Sequence, residues 1–184
     1  MKELGFQELL RYAFSGGISI ASLLLTYPKI TCLVGHIEGT REVTLILGAI
    51  LLMGTLIYNL HRALLFPILF RVIAWIMLRE KFKWSLLIPY WPSEAEIELD
   101  RWRWGLSDKA RGPWDEWGAQ VHFLYCAAWA ILLTLTLGNC VAGPPNCRAW
   151  RIFLYLFFFT FGAGIVHHFR LLYLLVAERR GHAG

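Results

Sequence analysis

The sequence predicts an all-α integral membrane protein, a four-helix bundle of four transmembrane spans with short interfacial helices. Three observations predict it. Apolar residues gather into four long blocks, Ser15–Val34, Val43–His61, Val121–Val141 and Ile152–Val166, with no acidic residue inside any of them. Each block is about fifteen to twenty-one residues long, close to what a helix rising about 1.5 Å per residue needs to cross a hydrocarbon core of about 30 Å. Composition agrees, with 57% hydrophobic and 17% charged residues, against about 25% charged in an ordinary soluble domain. The 184 residues are read as a single membrane domain, 1–184, too short to add a separate catalytic domain.

In chain order, residues 1–13 read as an interfacial helix, with Leu4, Phe6, Leu9 and Leu10 set against Lys2, Glu3, Glu8 and Arg11. That mixture does not suit the basic leader of a cleaved signal peptide. The first block carries Ser15, Ser19, Ser22 and Thr26 at i, i+4, i+7 and i+11, so the four share one helix face beside Gly16, Gly17 and Ala21. In a bilayer, small residues let backbones approach closely and hydroxyls bond across helices. The functional reading of the same stripe is a narrow polar path in an oligomer, with Thr44, Gly48, Thr55 and Asn59 of the second block as a weaker companion. Ala63 to Leu78 is apolar but interrupted by Pro67 and Arg71. It either continues the second helix, kinked at Pro67, or lies as a helix in the membrane interface.

Residues 79–119 form the one sizeable segment outside the apolar blocks, expected as a tryptophan-rich cytoplasmic loop. Ser93 and Glu96 make a capping box after Pro92, starting a helix of about ten residues. Six of the nine tryptophans (Trp84, Trp91, Trp102, Trp104, Trp114 and Trp117) fall here, a residue that favours the headgroup zone of a membrane. Seven basic residues nearly cancel eight acidic ones from Arg79 to Glu116, which argues against direct nucleic-acid binding. A protein partner in the cytoplasm is the alternative use of the segment. Gly112-Pro113 followed by Asp115 and Glu116 reads as the start of the third membrane helix, with proline at its first position.

The net charge of +5 is read through topology. With four spans and both ends on one side, fourteen of the 18 Lys and Arg residues lie on that side; Lys29, Arg41, Arg148 and Arg151 lie opposite. The positive-inside rule then places both termini in the cytoplasm, in a bacterial inner membrane by expectation. Cys32, Cys140 and Cys147 fall near the outer face and Cys126 within the third block. Between the third and fourth blocks, the turn-rich run Gly138–Cys147 leaves two alternatives, a small disulfide hairpin from Cys140 to Cys147 or unpaired thiols.

Two constellations are candidates for chemistry. His61 ends the second block, His122 begins the third, and His167 and His168 follow the fourth. Counted from the opposite boundary, these positions lie about 24–27 Å deep. With Asn59, Arg62 and Arg170 they form a basic collar at the inner edge, where ionisable groups are costly unless paired or wetted. Two histidines on facing helices resemble, in outline, the way membrane b-type cytochromes hold haem, and that resemblance implies His61 with His167 or His168 as axial ligands. The second is a weak internal repeat. Gly54/Gly162, Ile57/Ile165, Arg62/Arg170 and Leu64/Leu172 coincide, as parallel repeats of two spans each would require.

No P-loop, H-E-x-x-H, G-x-S-x-G or dinucleotide fingerprint is present. The expectation is therefore a non-enzymatic homo-oligomer in the lipid bilayer, acting as a channel or membrane-perturbing effector. Its path would be the Ser15–Thr26 stripe, ending at the basic lip of Arg62 and Arg170. In outline this is similar to small membrane effectors of bacterial anti-phage systems. The alternatives are an electron-transfer subunit with haem b, or a structural subunit of a larger membrane complex.

Overall fold

The computed structural model describes residues 6–34, 39–78 and 101–182. Among these residues the protein is helical, without strands. Its helices are α1 (Phe6–Thr26), α2 (Pro28–Val34), α3 (Thr40–Leu60), α4 (Phe66–Leu78), α5 (Asp108–Val141) and α6 (Cys147–His182), and a π-helical turn at His61–Leu65 joins α3 to α4. Three helical stretches are long and apolar enough to cross a membrane: Val43–Ile73 with 31 residues, and Lys109–Cys140 and Cys147–Glu178 with 32 each. At 1.5 Å per residue each is about 46–48 Å long, more than the hydrocarbon thickness requires.

The first apolar block departs from expectation. It is not one helix: α1 ends at Thr26, and Pro28 opens α2. Proline has no N–H to extend the helix before it, yet its fixed φ suits the first position of the helix after it. The apolar stretch of α1, Tyr12–Thr26, is consequently shorter than the other three. The expected interfacial helix at 1–13 has no boundary of its own either, because α1 runs unbroken from Phe6.

At the other side of the tryptophan-rich segment, α5 begins earlier than its proline suggests. The Ser107 Oγ accepts a bond from the Ala110 N–H at 3.4 Å, and the Ser107 carbonyl accepts from Arg111 N–H at 2.9 Å. Ser107 thus caps the helix, and Pro113 lies inside it, where only one backbone bond of an early turn is lost. The end of the expected loop 79–119 is therefore helical. Residues 79–100, with the Ser93–Glu96 capping box, Trp84 and Trp91, lie outside the described residues.

For Ala63–Leu78 the structure selects continuation over a separate interfacial helix. A π-turn, whose carbonyls reach five residues ahead, carries the chain toward Pro67, which offers no N–H to a carbonyl four residues back.

The chain divides into two compact units, Met1–His61 with Phe123–Phe161, and Arg62–His122 with Gly162–Gly184. In the first, α1 lies along α3 at a glycine crossing. A side chain at Gly16 would collide with the carbonyl of Ile50, and one at Gly54 with the carbonyl of Tyr12. Ile57, Tyr58, Cys126 and Ala130 form the core here, flanked by Tyr12, Ile18, Trp129 and Leu133. The rings of Tyr12 and Tyr58 meet edge-on at 5.0 Å, and Phe161 of α6 packs on Tyr125 and Trp129 at 5.7 Å each. Four helical segments thus meet in this unit. Buried alanines Ala127, Ala128 and Ala130 make α5 thin enough for close neighbours. In the second unit, Ile73, Val121, Leu171, Leu172 and Leu175 are buried.

What remains outside is strongly apolar. On α3, Leu45, Leu52 and Leu56 are exposed; on α6, Tyr155, Phe158 and Phe159 are. Bare apolar faces of this extent would be an aggregation hazard in water, whereas in a bilayer lipid tails cover them.

Candidate functional site

The serine stripe of α1 is buried in the first unit. Ser15, Ser19, Ser22 and Thr26 are each at most 2% exposed. Ser22 Oγ donates to the Ser19 carbonyl at 3.0 Å, and Ser15 Oγ to the Tyr12 carbonyl at 3.3 Å. From α5, Thr134 Oγ1 approaches the same Ser19 carbonyl at 3.4 Å and donates to the Ala130 carbonyl at 2.7 Å. The stripe therefore packs against α5, with Thr134 as a partner that sequence spacing did not mark. Asn59, its expected companion, is exposed.

Where α1 ends, Tyr27 enters the first unit and is fully buried. Its hydroxyl has two acceptors, the Leu135 carbonyl at 2.8 Å and Asn139 Oδ1 at 3.0 Å. Its ring lies where a side chain at position 138 would be, so Gly138 is a requirement of this contact. The Asn146 N–H donates to the Thr26 carbonyl at 2.7 Å, tying the α5–α6 turn to the end of α1. Gly143 takes φ of 81° in that turn, and Asn146 Oδ1 caps α6 through the N–H groups of Arg148 and Ala149 at 3.1 and 3.3 Å. Cys140 and Cys147 flank the turn as free, exposed thiols. Cys32 is likewise exposed and Cys126 buried. The signal for Tyr27 was present in the sequence: a tyrosine immediately before a proline at the end of a small-residue face.

The histidines divide between the units. His61 stands at the start of the π-turn, fully buried in the first unit, with its ring 5.6 Å from that of Tyr125. His122 and His168 come together in the second unit on opposite claims to one ring. Phe66 lies 4.0 Å from His122 and stacks nearly parallel on His168 at 5.2 Å, and Phe70 is 5.6 Å from His168. His168 is fully buried, whereas its neighbour His167 is exposed, as adjacent helical residues must point about 100° apart. Among the described residues no group of three or more His, Cys, Asp or Glu side chains is placed to hold a metal ion.

Arg71 is 6% exposed in the otherwise apolar α4. The sequence showed it only as an interruption, but a guanidinium buried in such a helix is a stronger indication of function than the exposed Arg62. The other lip residue, Arg170, is exposed on α6 with its guanidinium 5.0 Å from the centre of the Trp117 ring on α5. Near the start of α5, Arg111 lies 5.1 Å over Trp104. Asp115 pairs with both Arg103 and Arg111, the latter at 3.4 Å. The suggested repeat has unlike surroundings at one of its matched pairs: Gly54 is pressed on the α1 backbone, while a side chain at Gly162 would meet nothing within 4 Å.

Comparison with known proteins gives no relative: no protein family, no curated protein and no solved structure matches this chain.

Proposed function

We propose that this is a non-enzymatic membrane-spanning protein that acts as an oligomeric channel or membrane-perturbing effector, of the kind used in bacterial anti-phage defence. Its four apolar helical segments are four spans of a bacterial inner membrane, α1 being the short one, and both termini face the cytoplasm. The observation that carries the reading is the burial of ionisable groups in long apolar helices: Arg71, His61 and His168 are all under 9% exposed. Such groups are costly in a membrane and mark ion or proton pathways by default. The burial of the serine stripe moves the candidate path away from α1 and toward the residues around the π-turn. Arg62 and Arg170 then form the basic lip that selects anions.

The test is flux. Purified protein reconstituted in liposomes should pass chloride in preference to potassium, and Arg62→Glu or Arg170→Glu should reverse or abolish that preference. Absence of flux in the wild type at several protein densities would reject the channel, and unchanged selectivity in both variants would remove the lip from it.

One observation favours a second reading, a b-type haem electron-transfer subunit: His61 is fully buried in the first unit, and burial suits an axial haem ligand. Its test is an absorption spectrum of the purified protein before and after dithionite. A Soret band that shifts on reduction and disappears in His61→Ala supports haem; a flat trace above 300 nm eliminates it.

A further inference from the structure

The end of the membrane-crossing stretch is marked on two helices at once. From Gly118 to Cys147 there is no Asp, Glu, Lys or Arg, and from Ile152 to Phe169 there is none either. The second of these runs is about 27 Å of helix, close to a hydrocarbon thickness. Trp117 and Arg170 stand immediately outside the two runs, and they touch: the guanidinium lies 5.0 Å from the indole centre. Arg170 is exposed and has no carboxylate partner among the described residues. The Trp114 and Trp117 rings meet edge-on at 6.1 Å, Arg111 lies over Trp104, and Asp115 pairs with both Arg103 and Arg111. Trp104 is 70% exposed. Arg103, Arg111 and Arg170 stand here with Asp115 and the exposed Glu116, three basic groups to two acidic ones.

An arginine seated over a tryptophan face still has N–H groups to donate, and planar guanidinium matches phosphate oxygens bidentately. Tryptophan itself settles at headgroup level. We propose that Arg170 on Trp117, with Arg111 less than two turns away along α5 and Arg103 held near by its pair with Asp115, is a headgroup site for an anionic phospholipid. The inference rests on the membrane-spanning reading and adds the lipid class and the residues that select it.

Native mass spectrometry of the full chain in mild detergent, titrated with phosphatidylglycerol or phosphatidylcholine, tests it. The wild type should retain phosphatidylglycerol in preference. Arg170→Gln and Arg111→Gln should each weaken retention about fivefold, near the contribution of one basic residue at a membrane surface. Arg170→Lys should recover only part of the loss, because ammonium does not stack. Lys29→Gln, in the other unit, should retain wild-type affinity. All three side chains are at least partly exposed, and unchanged gel-filtration profiles establish that the variants fold. Equal retention of the two lipids, or wild-type preference in both glutamine variants, overturns the proposal. Competition by millimolar inorganic phosphate as effective as lipid would assign the site to a soluble anion instead and overturn it equally. Release of the protein from membranes by carbonate would reject the membrane-spanning reading itself, an outcome separable from loss of lipid selectivity.

Discussion

Gly16, Gly54 and Gly138 do their work by lacking a side chain, and each yields a sharp expectation. At the α1–α3 crossing a β-carbon on either glycine meets a backbone carbonyl, which cannot rotate away as a side chain can. Gly16→Leu or Gly54→Leu should therefore separate the helices at a cost of about 1–3 kcal/mol, read as a lowered midpoint in a detergent thermal-stability assay. Gly17→Leu should not, because nothing lies within 4 Å of its side-chain position. Tyr27→Phe removes one buried hydroxyl bond, worth about 0.6 kcal/mol between helices in a membrane. Gly138→Leu fills the site of the Tyr27 ring and should be the more damaging of the two. The sequence displayed Gly16 beside its serine stripe, and small residues at helical spacing are a legible sign of close packing. It did not display Gly138, whose partner is more than a hundred residues away. A long-range contact of that kind leaves no local period to detect.

Helices were legible where apolar length or a cap controls them, and less so where proline does. The blocks Val43–His61, Val121–Val141 and Ile152–Val166 all fall within helices of spanning length. Pro28, Pro67 and Pro113 produced three different outcomes: a break, a π-turn and an inclusion. Proline fixes its own φ and removes one donor, but neighbouring side chains decide how the backbone accommodates it. Ser107 was the missed determinant at α5, because its capping oxygen outranks a proline as the starting signal. Of the candidate site, the histidines themselves were visible in the sequence. The choice between His167 and His168 was not, because it depends on where Phe66 and Phe70 lie. Thiol chemistry gives a check at this scale. In spheroplasts, a membrane-impermeant maleimide should label Cys140 and Cys147 and spare Cys126. Labelling of Cys140 only after lysis would invert the proposed orientation.

At the level of the whole molecule, exposed apolar surface and buried charge are reversed relative to a soluble domain, and the environment supplies the reason. Leucine and phenylalanine faces on α3 and α6 lie bare while Arg71 and His168 are enclosed. The molecule should accordingly resist carbonate extraction and float with vesicles in a density gradient; recovery in the soluble fraction would contradict the arrangement. Truncating Arg71 should be more harmful than truncating Arg62. Arg71→Ala leaves the groups around a buried guanidinium without it, at about 3–5 kcal/mol if that guanidinium is ion-paired, whereas Arg62 is exposed. Yield of monodisperse protein from membranes measures the difference. The π-turn at His61–Leu65 has one more consequence at this scale. A π-turn is a single-residue insertion into an α-helical frame, so everything after it is rotated by about 100° relative to an uninterrupted helix. Phe66, Phe70 and Arg71 owe their azimuth on α4 to that one added residue. Deleting a single residue between Arg62 and Leu65 would return the frame to ordinary α-helix and change the register in which α4 follows α3, without altering one side chain of either.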